Sequence, residues 1–141
     1  MKTTPQQLKK LYEDGHNISS LLRDEHNVSH NTQEIIEISY DMQAGSYVEA
    51  MNNKDIASHK SKYSKEIADT ISTLTSPNSI LEAGVGEGTT LSGVLKHLDK
   101  DINSYGFDIS WSRLSYADLW LKSHKIDNTV LCSGDLFNIP F

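Results

Sequence analysis

Basic residues, cysteines and long apolar runs are all scarce in this 141-residue chain, and each shortage closes off a class of function. Lysine and arginine number 13 against 19 aspartates and glutamates, giving a formal net charge of −6 with no basic stripe to offset it. A nucleic-acid backbone is therefore not the expected main partner. The one cysteine, Cys132, allows no internal disulfide. It lies in an apolar, strand-like run, VLCSG, which predicts a buried, inert thiol and a reducing cytoplasm as its home. No apolar run approaches the ~20 residues of a membrane span. Residues 1–20 also lack the apolar centre of a secretory signal. There is no internal repeat and no low-complexity tract. What remains, 37% hydrophobic and 23% charged, is the composition of an ordinary soluble chain of one-domain size.

Two regions differ in character. Residues 1–58 are polar and carry only short apolar groupings: Leu8 with Leu11 and Tyr12, Leu21 with Leu22, and Ile35, Ile36 and Ile38. They predict three or four short helices, the clearest over Thr32 to Gln43 with Thr32 as its N-cap. Gly45 ends that helix and Ser46 to Met51 begins another. Over residues 59–141 the pattern tightens. Tyr63, Ile67, Ile71 and Leu74 mark one face of a helix that Ser76-Pro77-Asn78 breaks. Short apolar strands are expected at Ser79 to Ala83, Ser104 to Ile109 and Asn128 to Ser133, with a polar loop over Asp99 to Asn103. Between them lie helices bearing Leu91, Val94, Leu95 and Leu98, then Leu114, Ala117 and Leu121, the second capped by Ser110. Strands alternating with helices imply an α/β fold with a Rossmann-like parallel sheet and right-handed crossovers.

In such a sheet, ligands bind beyond the carboxyl ends of the strands. Three polar clusters fall there: Glu82 to Gly88, Asp108, and Gly134-Asp135. In ILEAGVGEGTT, Gly84, Gly86 and Gly88 follow G-x-G-x-G rather than the G-x-G-x-x-G of a dinucleotide site. Glu82 at the mouth of the turn repels a pyrophosphate but accepts hydrogen bonds from an ammonium group. No Lys-Ser/Thr pair follows the glycines, which excludes a phosphate-binding P-loop. The ligand expected is nucleoside-like, with a cationic or zwitterionic tail. Asp108 stands 24 residues after Gly84, where an acid can accept both ribose hydroxyls; the plainer reading is that it caps the helix beginning near Ser110. His26 and His30 are four residues apart, but no third metal ligand lies close by. Trp111 and Trp120 read as packing residues, with Trp111 placed to border a base.

Ile80 to Gly88 resembles the first motif of the class I S-adenosylmethionine-dependent methyltransferases, an acid followed by G-x-G-x-G. FDIS, Phe107 to Ser110, resembles their second motif, and SGDLFNIPF, Ser133 to Phe141, their third. The resemblance covers about Tyr63 to Phe141 and implies that S-adenosyl-L-methionine is the cofactor. It further implies that Ala83, Gly84, Gly86 and Gly88 admit the methionine moiety and ribose, with Glu82 around the amino-acid end. Asp108 would take the ribose hydroxyls, Ile109 the adenine face, Asp135 the exocyclic amine, and Leu136 the side of the ring. Upstream, ISYDMQAGSY (Ile38 to Tyr47) resembles a lid segment of some bacterial members, in which Tyr40 and Tyr47 would pack on the cofactor or acceptor; alternatively both are ordinary packing aromatics.

The resemblance thus implies a helical lid or extension over 1–58 and the N-terminal half of a methyltransferase domain over 59–141. The family places a fourth strand beside the first, so the expectation is a fragment whose first strand is an open edge, inactive alone. Self-association or a partner chain would cover that edge. The function implied is methyl transfer to a small-molecule acceptor. A non-catalytic module that holds the cofactor or a partner is the alternative, and a nucleotide-binding oxidoreductase with an aberrant glycine turn is a third.

Overall fold

The computed structural model describes residues 3–98 and 102–141, and is a mixed α/β structure with three strands and seven helices among the described residues. The chain forms two compact units, one ending at Ala44 and the other beginning at Gly45. The division therefore falls at the glycine predicted to stop a helix, upstream of the change in composition near residue 58.

The first unit is a cluster of three helices, α1 (Pro5–Glu13), α2 (Ile18–His26) and α3 (Gln33–Gln43). Each starts on a side-chain cap. Thr4 and Gln7 form a reciprocal capping box with Pro5 in the first turn, and Asn17 and Thr32 accept from Ser20 N–H and Ile35 N–H. The short apolar groupings of the sequence converge: Leu8, Ile18, Leu22 and Ile35 are buried together, with Leu11, Tyr12 and Ile38 packed around them. α2 ends at His26 on a left-handed Asn27, so His30 lies beyond the cap and shares no helix face with His26.

The second unit runs α4 (Ser46–Ala50), α5 (Lys54–Leu74), β1 (Ser79–Ala83), α6 (Thr89–Leu95), β2 (Asn103–Asp108), α7 (Trp111–Ser123) and β3 (Thr129–Ser133). Of the polar loop expected over Asp99 to Asn103, residues 99–101 lie outside the described residues. Ile102 is buried and Asn103 already belongs to β2. α5 forms where its apolar spacing predicts, but its buried residues are Ser64 and Ala68. Ile67 and Ile71 are half-buried, whereas Tyr63 and Leu74 point to solvent, Leu74 being 78% exposed. The reason is close helix packing: Ser64 lies against Gly93 of α6, where there is no room for a Cβ, so small residues rather than large ones make this seam.

The sheet is all parallel in the order β1-β2-β3, with Ala83 opposite Phe107 and Asp108 opposite Ser133. Strands that march in one direction put both connecting helices on one face when their crossovers are right-handed. Val85, Leu91 of α6 and Leu114 of α7 form that core, with Ile80 and Leu131 packed against it. Gly106 is needed at its centre, since a Cβ there would fall 2.9 Å from Val85 Cγ2. On the opposite face Leu81 and Val130 are exposed, and the Phe141 ring meets Tyr105 edge-on at 5.3 Å. β1 pairs with β2 on one side and ends the sheet, as do the outer backbone groups of β3. No helix among the described residues is long and apolar enough to cross a membrane.

Candidate functional site

The second unit brings all three polar clusters to one rim. β1 ends at Ala83, and the N–H groups of Gly84 and Val85 both donate to the Phe107 carbonyl at 2.9 Å, folding the glycine turn over the end of β2. Gly134 N–H donates to the Asp108 carbonyl at 3.1 Å, which ties the end of β3 to the same place. Gly84, Gly86 and Gly88 have φ of 72°, 53° and 72°, a left-handed backbone that disfavours any Cβ. Their surroundings differ. Nothing lies within 4 Å of where a Cβ of Gly84 would stand, so Gly84 borders open space. Gly86 faces Asp108 Oδ2 and Arg113 Nη1, and a Cβ on Gly88 would stand 3.3 Å from Ala117 Cβ of α7.

Asp108 is 7% exposed and fixed from two sides. Its Oδ2 accepts from Gly86 N–H and its Oδ1 from Ser110 N–H, both at 2.9 Å. The cap of α7 is Ser110 itself, whose hydroxyl accepts from Arg113 N–H at 3.1 Å. Asp108 therefore does more than start a helix. It binds the glycine turn to the second strand, and a carboxylate has lone pairs beyond these two bonds.

Glu82 is the electrostatic anomaly of the rim. Burial pushes its carboxyl from 4.5 up to about 7, and the nearby Asp108 charge adds to the rise. The Lys60 ammonium and a hydrogen bond from Leu91 N–H, in the first turn of α6, work in the other direction. One oxygen, Oε2, is buried with no hydrogen-bond partner among the described residues. Lys60 itself donates to Thr90 Oγ1 at 2.6 Å. A buried carboxylate oxygen without a donor is costly, and a cationic donor arriving from solvent relieves that cost.

The remaining expected residues are placed as follows. Ile109 is half-buried just past Asp108. Asp135 Oδ1 accepts from Phe137 N–H at 2.7 Å and Asn138 N–H at 3.0 Å, which shapes the loop after β3, while Leu136 is 66% exposed. Tyr47, on α4, is 53% exposed, its ring 5.1 Å from the Arg113 guanidinium. Tyr40 belongs to α3 of the first unit and is exposed there. Trp111 is largely exposed rather than packed, whereas Trp120 Nε1 donates to Ser92 Oγ at 2.8 Å. Cys132 is half-buried rather than fully buried, because it sits on an edge strand.

Three residues of the site were not expected from the sequence: Glu87, Arg113 and Lys60. Glu87, inside the glycine turn, is 3% exposed and accepts from Gly45 N–H at 3.0 Å and Val48 N–H at 2.7 Å. The one sequence signal for it is that α4 begins on Gly45, which brings no side chain to cap the helix. Arg113 is buried beside Gly86, and Lys60 approaches from α5. Compared with family models and with curated proteins, the sequence matches none.

Proposed function

We propose that the second unit binds S-adenosyl-L-methionine in the manner of a class I methyltransferase and presents it to a small-molecule acceptor. The observation that carries this reading is Glu82 Oε2, a buried carboxylate oxygen with no donor among the described residues, two residues before an open glycine turn. An amino-acid ammonium supplies the missing donor; a pyrophosphate does not. Asp108, already held by two backbone N–H groups, has acceptor capacity left for ribose hydroxyls. Ala83, Gly84 and Gly86 border the approach of the methionine and ribose portions, and Gly88 fixes the helix behind them. Ile109, Asp135 and Leu136 stand on the adjoining strand ends, where the adenine would lie, and Tyr47 stands on α4 near Arg113.

When bound, this cofactor supplies a methyl group on a strongly electrophilic sulfonium, so the chain's task is to hold and align it rather than to activate it. Glu82 anchors one end, Asp108 the middle, and the backbone of the turn keeps the intervening distance. Titration calorimetry with S-adenosylmethionine and with NAD tests the reading. Saturable heat with the first and none with the second is expected. Heat with NAD alone would replace it with a dinucleotide site, and no heat from a folded sample with either would reject it.

A further inference from the structure

Glu87 lies between Gly86 and Gly88, yet its carboxylate serves neither its own turn nor α6. It reaches the start of α4, where Oε1 accepts from Gly45 N–H and Oε2 from Val48 N–H. Helices leave their first N–H groups without partners inside the helix, and an acid at that end is favoured by the helix dipole as well. α4 has only the five residues Ser46–Ala50, far below the ~12–15 at which an isolated helix becomes even marginally stable in water. Its order therefore comes from what it touches.

Two further contacts hold it. Gly45 has φ 97° and faces the Tyr116 ring so closely that a Cβ would stand 2.8 Å from it, so the strap begins where glycine alone fits. Tyr47, two residues on, places its ring 5.1 Å from the Arg113 guanidinium. Arg113 Nη1 in turn would lie 3.8 Å from a Cβ on Gly86. From the glycine turn the contacts run through Glu87 to α4 and through Tyr47 to Arg113, whose guanidinium stands near Gly86.

We propose that Glu87 is a positioning residue that fastens α4 as a strap onto the glycine turn and so holds Tyr47 over whatever occupies the rim. The part of the proposal that concerns the occupant rests on the cofactor reading above; the fastening itself does not. Gly84, which borders the open space, and Glu87, which anchors the strap, belong to one short turn. A ligand that rigidifies the turn favours the seated strap, and by reciprocity the seated strap favours the ligand.

The test has two arms. In the free protein, amide hydrogen exchange is compared for wild type, Glu87→Gln and Glu87→Ala. Exchange of the Gly45–Ala50 amides should quicken about tenfold or more in Glu87→Ala, the scale of one charge-assisted hydrogen bond. Glu87→Gln, which keeps one acceptor oxygen, should fall between, and the β2 amides should not change. Unaltered exchange in α4 overturns the proposal. Should Glu87→Ala fail to fold, Glu87→Gln carries the test, and a smaller quickening confined to the same α4 amides is expected.

The second arm is a double-mutant cycle read by S-adenosylmethionine affinity. Tyr47→Ala should weaken binding about fivefold in the wild-type background and by less than about twofold in Glu87→Ala, because an unfastened tyrosine contributes little. Full additivity, or no effect of Tyr47→Ala in wild type, overturns the positioning role. If wild type takes up no S-adenosylmethionine, the cofactor reading fails, and the exchange arm alone decides the strap.

Discussion

Replacing Glu82 with glutamine should make the protein more stable above neutral pH while damaging its ligand site. The carboxyl is held at about 7 instead of 4.5, chiefly because burial strips water from the charged form. Below pH 4.5 the folded and unfolded chains both carry the proton. Between 4.5 and about 7 the unfolded chain releases a proton that the folded chain keeps, so stability falls as pH rises, and above about 7 the loss is complete. At 1.36 kcal/mol per pH unit, a displacement of this size corresponds to roughly 3 kcal/mol. Glutamine mimics the protonated acid, so Glu82→Gln should match wild type near pH 4.5 and exceed it by roughly 2–3 kcal/mol at pH 8. Urea titrations of both proteins at the two pH values measure the difference. The same substitution should reduce S-adenosylmethionine affinity at least about tenfold, since a neutral amide replaces the acceptor of the ammonium. Parallel stability curves for the two proteins across pH would refute the burial argument. Undiminished affinity would refute the role given to Oε2.

Other outcomes follow from the same contacts. Asp108→Asn keeps the shape but turns one acceptor into a donor, and should weaken S-adenosylmethionine binding by about 1–3 kcal/mol in calorimetry; an unchanged dissociation constant would remove the ribose role. Gly88→Ala places a Cβ at φ 72° and 3.3 Å from Ala117, and should lower stability by about 1–2 kcal/mol in thermal melts. Ile35→Ala empties the fully buried centre of the first unit and should cost about 2–5 kcal/mol, read as faster exchange of the α1 to α3 amides.

Elements with a local signature were legible in the sequence. Thr32 marks the start of α3, Ser110 that of α7, Ser76-Pro77-Asn78 the end of α5, and Ser79 to Ala83 matches β1 residue for residue. The glycine turn and Asp108 were legible as well, because a left-handed turn and a strand-terminal acid are properties of short stretches. The misplaced feature was the buried face of α5. Large apolar residues suggested one stripe, but Ser64 and Ala68 face α6 because Gly93 allows the helices to approach closely. That choice depends on a partner helix some 30 residues away, outside any local window. Glu87 carries no local signature for the same reason, since its two donors are separated from it by 42 and 39 residues.

The most direct measurement is an amide-resolved magnetic resonance titration of the chain with S-adenosylmethionine. Saturable shifts are expected at Gly84, Gly86 and Gly88, at Asp108 to Ser110, and at Gly134 to Leu136, with a smaller response along α4. Shifts elsewhere in the second unit with a silent glycine turn, or no shifts at all in a folded sample, would contradict it.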